Sequence, residues 1–249
     1  MAKSYKYPRR KILRVIMHQM SIWAFKIVSD LTIIGEENIP AKGPLLVVGN
    51  HFSFIDPVCF VRLARWPIDF IGADQPAFAP TWAHWIINTW GYHHVFRGTG
   101  STEALRASEA ILSQNGVLGI FPEGGSWAKM LRPARPGTAY LAARTGASIL
   151  PVGLYGFNEI FPLRFRDQAK ATIKIGKPFG PFKVIGRGRE RRRQLDQIGN
   201  SIMQEIALLL PDELRGKYSE DHNVRLAAKE AEHYPWADKI EGEVFGEPR

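Results

Sequence analysis

The run Leu45-Leu-Val-Val-Gly49 limits what this chain can fold into more than any other stretch. Five apolar or small residues without alternation make no amphipathic strand; they suit one covered on both faces, and such strands belong to sheets sandwiched between helical layers. Other apolar stretches recur along the chain: Leu31 to Ile34, Tyr92 to Phe96, Val117 to Phe121, Ile149 to Leu154 and Ala171 to Ile175. Between them lie helical patterns, notably Ser101 to Leu112, Gly137 to Arg144 and Gln194 to Leu210. The alternation predicts an α/β fold with a central, mostly parallel or mixed sheet covered by helices.

A length of 249 residues is near the upper end of what one core can hold, so one main domain with appended segments is expected. Residues 1–30 combine a basic cluster (Lys3, Lys6, Arg9, Arg10, Lys11, Arg14) with Ile12, Leu13, Ile16, Met20, Trp23, Ile27 and Leu31, mostly three or four apart. That pattern fits an amphipathic segment lying in a membrane interface, and equally one packed on the domain. Residues 31–210 carry the sheet pattern; residues 211–249, after Pro211, read as a polar, weakly patterned tail.

Lysine and arginine exceed aspartate and glutamate by 33 to 24, which favours an anionic partner: a phospholipid surface, a phosphorylated substrate or nucleic acid. The basic run Gly186-Arg-Gly-Arg-Glu-Arg-Arg-Arg193 has no interleaved aromatics for base stacking, so it reads as a solvated loop or a lipid contact, and no nucleic acid is expected. No stretch reads as a transmembrane helix: Val15 to Phe25 is too short, and the uncharged Gln75 to Phe96 contains Pro76, Pro80, Asn88 and Gly91. No secretory leader is expected either. The single cysteine, Cys59, fits a buried apolar role, and His93-His94 lacks a third ligand in register, so no metal is assigned.

The chemistry concentrates in Asn50-His51-Phe52-Ser53-Phe54-Ile55-Asp56-Pro57, which begins where a buried strand ends and finishes where a helix can start. Asp56 before Pro57 suits a helix cap, a sufficient structural job in itself. Residues five apart face about 140° away from each other on one helix and stand up to roughly 16 Å apart in a strand, so only a turn can bring His51 back to Asp56. A carboxylate holding one imidazole nitrogen leaves the other free to take a proton. No protein nucleophile accompanies the pair: Ser126 in Gly124-Gly125-Ser126-Trp127-Ala128 lacks the last glycine of a nucleophile elbow.

Asn-His-x-x-x-x-Asp-Pro after an apolar strand, then Phe121-Pro122-Glu123-Gly124, resembles the glycerolipid acyltransferases, the lysophosphatidic acid acyltransferase family. The likeness runs from about Leu31 to Tyr155 and includes the Gly35-Glu-Glu-Asn-Ile-Pro turn, Arg97 after a short strand, and Ile149-Leu150-Pro151-Val152. It implies that His51 deprotonates an acceptor hydroxyl, which attacks the thioester of acyl-CoA or acyl-carrier protein, while Asp56 orients the histidine; no further cofactor is implied. By the same analogy Arg97, Phe121, Pro122, Glu123 and Gly124 line the acceptor site. The acceptor would be a lysolipid, and the enzyme would sit peripherally or monotopically at the cytoplasmic face of an anionic membrane surface.

One departure stands out. Members acting on lysophosphatidic acid often read Phe-Pro-Glu-Gly-x-Arg-Ser, whereas Ser126 falls where that arginine would be. Lys129, Arg132 or Arg135 would have to supply the charge, or the acceptor is another membrane alcohol such as a lyso-aminolipid or glycolipid. A non-catalytic peripheral membrane protein would need neither His51 nor Asp56.

Overall fold

The computed structural model describes residues 5–73, 80–95, 102–126, 128–163 and 166–231. Among these residues seven strands form one mixed sheet: β1 (Ser29–Ile34), β2 (Leu45–Gly49), β3 (Ile68–Ala73), β4 (His93–Val95), β5 (Val117–Ile120), β6 (Ser148–Tyr155) and β7 (Ala169–Ile175), in the order β1-β7-β6-β2-β5-β3-β4. From β6 to β4 every pairing is parallel. β7 runs antiparallel to β6, and β1 parallel to β7. Seven α-helices among the described residues accompany the sheet: α1 (Lys11–Val28), α2 (Asp56–Leu63), α3 (His84–Trp90), α4 (Thr102–Ser113), α5 (Pro136–Thr145), α6 (Gly188–Leu208) and α7 (His222–Ala231).

β2 sits in the middle of the sheet, and its unbroken apolar run has the expected consequence: all five residues are buried. Alternate side chains enter two cores. Leu45 and Val47 pack on one face with Cys59, Phe60 and Leu63 of α2 and Phe25 of α1. Leu46 and Val48 pack on the other with Ile111 of α4, Leu141 of α5, and Ile198, Ile202 and Met203 of α6. Cys59 is thus a packed apolar residue, and burial pushes its thiol pKa well up.

α1 is amphipathic in an inverted sense. Its buried residues are Arg14, Ser21 and Phe25, while Ile12, Val15, Ile16, Met20, Trp23 and Ile27 are exposed. Arg14 donates to both oxygens of Asp69 on β3, at 2.8 and 3.3 Å, and Arg9 reaches the same carboxylate at 2.6 Å. Burial pushes Asp69 up, but the two guanidinium groups outweigh it and hold the carboxyl below its ordinary range. Arg10 donates to the carbonyls of Asn88 and Thr89 at the end of α3, and His18 Nδ1–H to Val61 O at 2.7 Å. Half of the N-terminal basic cluster expected on headgroups is therefore spent on intramolecular contacts. One face of α1 packs on the domain, and the other stays bare.

Four further elements differ from expectation. β3 was not foreseen, nor was α3 between Pro80 and Gly91. α6 begins at Gly188 rather than Gln194, so the arginines expected in a loop occupy its first turns. Past Pro211 the chain continues to fold: Leu131 N–H donates to Leu214 O at 2.8 Å, and α7 follows. No helix among the described residues is long and apolar enough to cross a membrane.

Candidate active site

β2 and β5 are parallel neighbours, so the loops leaving their C-terminal ends emerge side by side. The first carries His51 to Asp56, the second Phe121 to Gly124. Loops at this edge of a parallel sheet are the usual place for ligands and chemistry.

The turn is anchored at both ends. Asn50, fully buried, donates through Nδ2 to Leu154 O and accepts from Leu154 N–H, both at 2.7 Å, so its amide side chain extends the ladder to β6 after the strand has ended. Its signal in the sequence was only its place between a buried strand and the histidine. Gly49, just before, must be small: a Cβ there would lie 2.8 Å from Val152 O and 2.9 Å from the Phe60 ring.

The turn does bring His51 back onto Asp56, with Nδ1 2.9 Å from Oδ2. The same oxygen accepts N–H bonds from Phe52 and Ser53, each at 2.7 Å. Asp56 is the first residue of α2 rather than its cap, and its side chain turns back to the loop instead of onto helical amides. The sufficient job offered by the capping reading is thus replaced by three donors converging on one oxygen. Those donors can only give protons, so Nδ1 carries its hydrogen toward Asp56 and Nε2 is left as the free base. Burial raises the Asp56 carboxyl pKa, against the pull of His51 and the two amides. The imidazole keeps 17% of its surface exposed while the carboxylate keeps 1%.

Phe121 stacks on the imidazole at 4.3 Å and 22°, and Phe60 stacks behind Phe121 at 4.7 Å. Pro122 and Glu123 are buried, and Gly124 holds φ +81°, where a side chain would be strained. Glu123 lies behind the turn. Its carboxylate, 1% exposed, accepts the His51 backbone N–H at 2.7 Å through one oxygen and the N–H and Nε–H of Arg132, at 3.1 and 3.0 Å, through the other. Burial pushes Glu123 up to about 7 despite Arg132. It therefore fixes the histidine from behind, across 72 residues of sequence, a role that sequence spacing cannot signal.

Of the three cations offered as substitutes for the missing arginine, Arg132 is buried, tied to Glu123 and donating to Gly125 O. Arg135 and Lys129 are exposed, and Arg135 lies against Gly124. Arg97 lies outside the described residues. Ser126 lines a cavity of about 170 Å³ with Phe52, Ser53, Phe54, Phe157, Asn158 and Phe161, beside the His51 turn and, among the described residues, without a cation. A larger cavity of about 280 Å³, lined by Lys42, Leu45, Gly146 and Ser148 among others, lies at the opposite ends of β2 and β6, away from the histidine. The smaller cavity thus adjoins the turn that carries the chemistry, and the larger one does not.

Comparison with known proteins follows the same residues. The profile of a family described as Acyltransferase matches residues 30–155. A 1-acyl-sn-glycerol-3-phosphate acyltransferase of Borreliella burgdorferi is 30% identical over 146 residues, 57% of this chain and 57% of that protein. One of Chlamydomonas reinhardtii is 27% identical over 221 residues, 84% of this chain and 63% of that protein. The chain thus spans less than two thirds of the length of these curated relatives. In three dimensions it is similar to the crystal structure of a 1-acyl-sn-glycerophosphate acyltransferase from Thermotoga maritima, with a TM-score of 0.53 and 24% identity over 79% of this chain and 82% of that one, a likeness of fold.

Proposed function

The chain belongs to the acyltransferase family, and from that premise we propose that it moves a fatty acyl group from acyl-CoA or acyl-carrier protein to the hydroxyl of a lysophospholipid of the 1-acylglycerol-3-phosphate kind. The observation that carries the reading is the His51–Asp56 contact of 2.9 Å with Nε2 left as the free base. Nε2 takes the acceptor proton as its oxygen attacks the thioester carbonyl carbon. A C–O bond forms, the C–S bond breaks, and the proton passes from the imidazolium to the departing thiolate. Asp56 steadies the imidazolium between those two events. The stacked Phe121 ring and the Glu123 grip on the His51 backbone hold the base in place.

The same reading sets the protein peripherally or monotopically on the cytoplasmic face of a membrane, with the bare side of α1 among acyl chains. Six large apolar side chains on that face, Trp23 at 62% exposure among them, support it. In this account the apolar face does most of the docking, since Arg9, Arg10 and Arg14 are engaged within the protein.

His51→Ala tests the mechanism: thioester consumption falls by about 10² to 10⁴ while retention on vesicles is unchanged. A variant that turns over at the native rate would refute it. For the acceptor, a second reading has an observation of its own: among the described residues no cation lines the cavity beside the turn, and Ser126 stands on its wall. A lyso-aminolipid or glycolipid head group suits that lining, whereas a phosphate would need a cation such as Arg135 or Lys129 brought to it. One labelled acyl-CoA offered with a panel of lysolipids, the product identified by mass spectrometry, decides between them.

A further inference from the structure

The first turns of α6 are built against their own helix. Arg187 at the cap and Arg189, Arg191, Arg192 and Arg193 beyond it are all exposed, with only Glu190 in opposition. Cations are unfavourable at a helix N-terminus, where the macrodipole is positive. None of the five forms an ion pair among the described residues. They therefore do not serve the stability of the element that carries them.

Beside them stands Ile185, 76% exposed. It is held there: the Gln194 side chain accepts the Ile185 N–H and donates to the Ile185 carbonyl, both at 3.1 Å, and donates also to Glu190 at 2.9 Å. An apolar side chain fixed outward within a cationic rim has the anatomy of a protein interface, an apolar anchor with polar surroundings. Nucleic acid gives no reason for the isoleucine, and the run offers no aromatic for stacking. A bilayer fits poorly too. α6 packs in the core on one face of the sheet and α1 in the core on the other, so a membrane lying on the bare side of α1 is across the sheet from this cluster.

We propose that Ile185 and the adjoining arginines form the docking surface for an acidic carrier protein that presents the acyl thioester on a flexible arm. The proposal rests on the acyl-transfer reading above and deepens it on the donor side. The helix links the two places: Gly199, about 10 Å along α6 from Arg192, lies against Ala134. The next residue, Arg135, donates its N–H to Pro122 O at 2.8 Å, in the loop whose Phe121 covers His51.

The test uses the full chain carrying Arg191→Glu, Arg192→Glu and Arg193→Glu together, and separately Ile185→Ser. Glutamate in the first turns suits the helix dipole, so the triple variant should fold. KM is measured with palmitoyl-loaded acyl-carrier protein and with palmitoyl-CoA; binding of unloaded carrier protein is titrated at low salt; retention is measured on phosphatidylglycerol vesicles. The expected result is a carrier-protein KM raised about tenfold or more, lost binding of the unloaded carrier, and unchanged palmitoyl-CoA kinetics and vesicle retention. An unchanged carrier KM, an equal loss with both donors, a loss of vesicle retention, or no carrier binding by the native chain would each overturn the proposal. If the native chain transfers from neither donor, the acyl-transfer reading fails separately, and the carrier titration still decides the docking surface.

Discussion

Replacing Asp56 by asparagine isolates the charge of the dyad from its geometry. The Asp56 oxygen that faces His51 also accepts the Phe52 and Ser53 amides at 2.7 Å. Those amides can only donate, so the asparagine carbonyl oxygen, not its NH₂, must take that place. The imidazole keeps its partner and its tautomer; what disappears is the negative charge beside the imidazolium formed when the acceptor proton arrives. Unit charges about 4 Å apart in surroundings of effective dielectric about 20 attract by about 4 kcal/mol. Asp56→Asn should therefore lower kcat by up to roughly 10³, with KM for both substrates nearly unchanged. Asp56→Ala should in addition lower stability, since it orphans two buried amides at about 1–3 kcal/mol each. Thiol release from acyl-CoA on mixed micelles gives kcat, and urea unfolding gives stability. An Asp56→Asn enzyme retaining native kcat would refute the electrostatic role, leaving Asp56 as scaffolding for the turn.

Glu123 titrates near 7 in the folded chain against an ordinary 4.5, so between those values the native state holds a proton the unfolded state has lost. Stability should fall as pH rises from about 4.5 to about 7 and level off above, by up to about 3 kcal/mol; Glu123→Gln should flatten that slope in urea titrations at several pH values. Arg14→Met, which leaves Asp69 with Arg9 and, at 4.0 Å, His93, should cost about 3 kcal/mol, and adding Asp69→Val should recover much of it, read again by urea unfolding. Ile16→Glu with Trp23→Glu should cut retention on anionic vesicles severalfold while leaving the thermal midpoint nearly unchanged, since both side chains are exposed; native retention would refute the docking role of α1.

The legible parts of this protein were the local ones. β2 matches its apolar run residue for residue, and β5, β6 and β7 fall within about two residues of theirs: the first three are covered on both faces and advertise themselves in composition, while β7 alternates buried and half-buried residues. β3 was hidden by its aspartate. An acid in a short apolar run reads as surface, and only Arg9 and Arg14, some 55 to 60 positions earlier, make Asp69 affordable inside. The start of α6 was hidden by two glycines and by arginines placed where helices disfavour them. In the site, His51 and Asp56 were readable because a five-residue turn closes on itself. Glu123 was recognised as part of the site, but its work on the His51 amide spans 72 residues and surfaces only in three dimensions. Asn50 was quoted in the motif without a task, since its partner strand β6 begins 98 positions later.

The inverted character of α1 bears on what kind of solvent the protein tolerates. A helix held to its domain by apolar contacts alone loses that hold when lipid replaces water, because acyl chains compete for the same side chains on equal terms. α1 is fastened by other means as well: Arg14 on Asp69, Arg10 on the end of α3, and the His18 ring on the Val61 carbonyl, beside Met17, Phe25 and Val28 at the apolar core. Such polar fastenings tighten as the surrounding dielectric falls. The attachment should therefore outlast a transfer from buffer to detergent or bilayer, and the helix should travel into the interface as part of the enzyme, carrying the sheet with it.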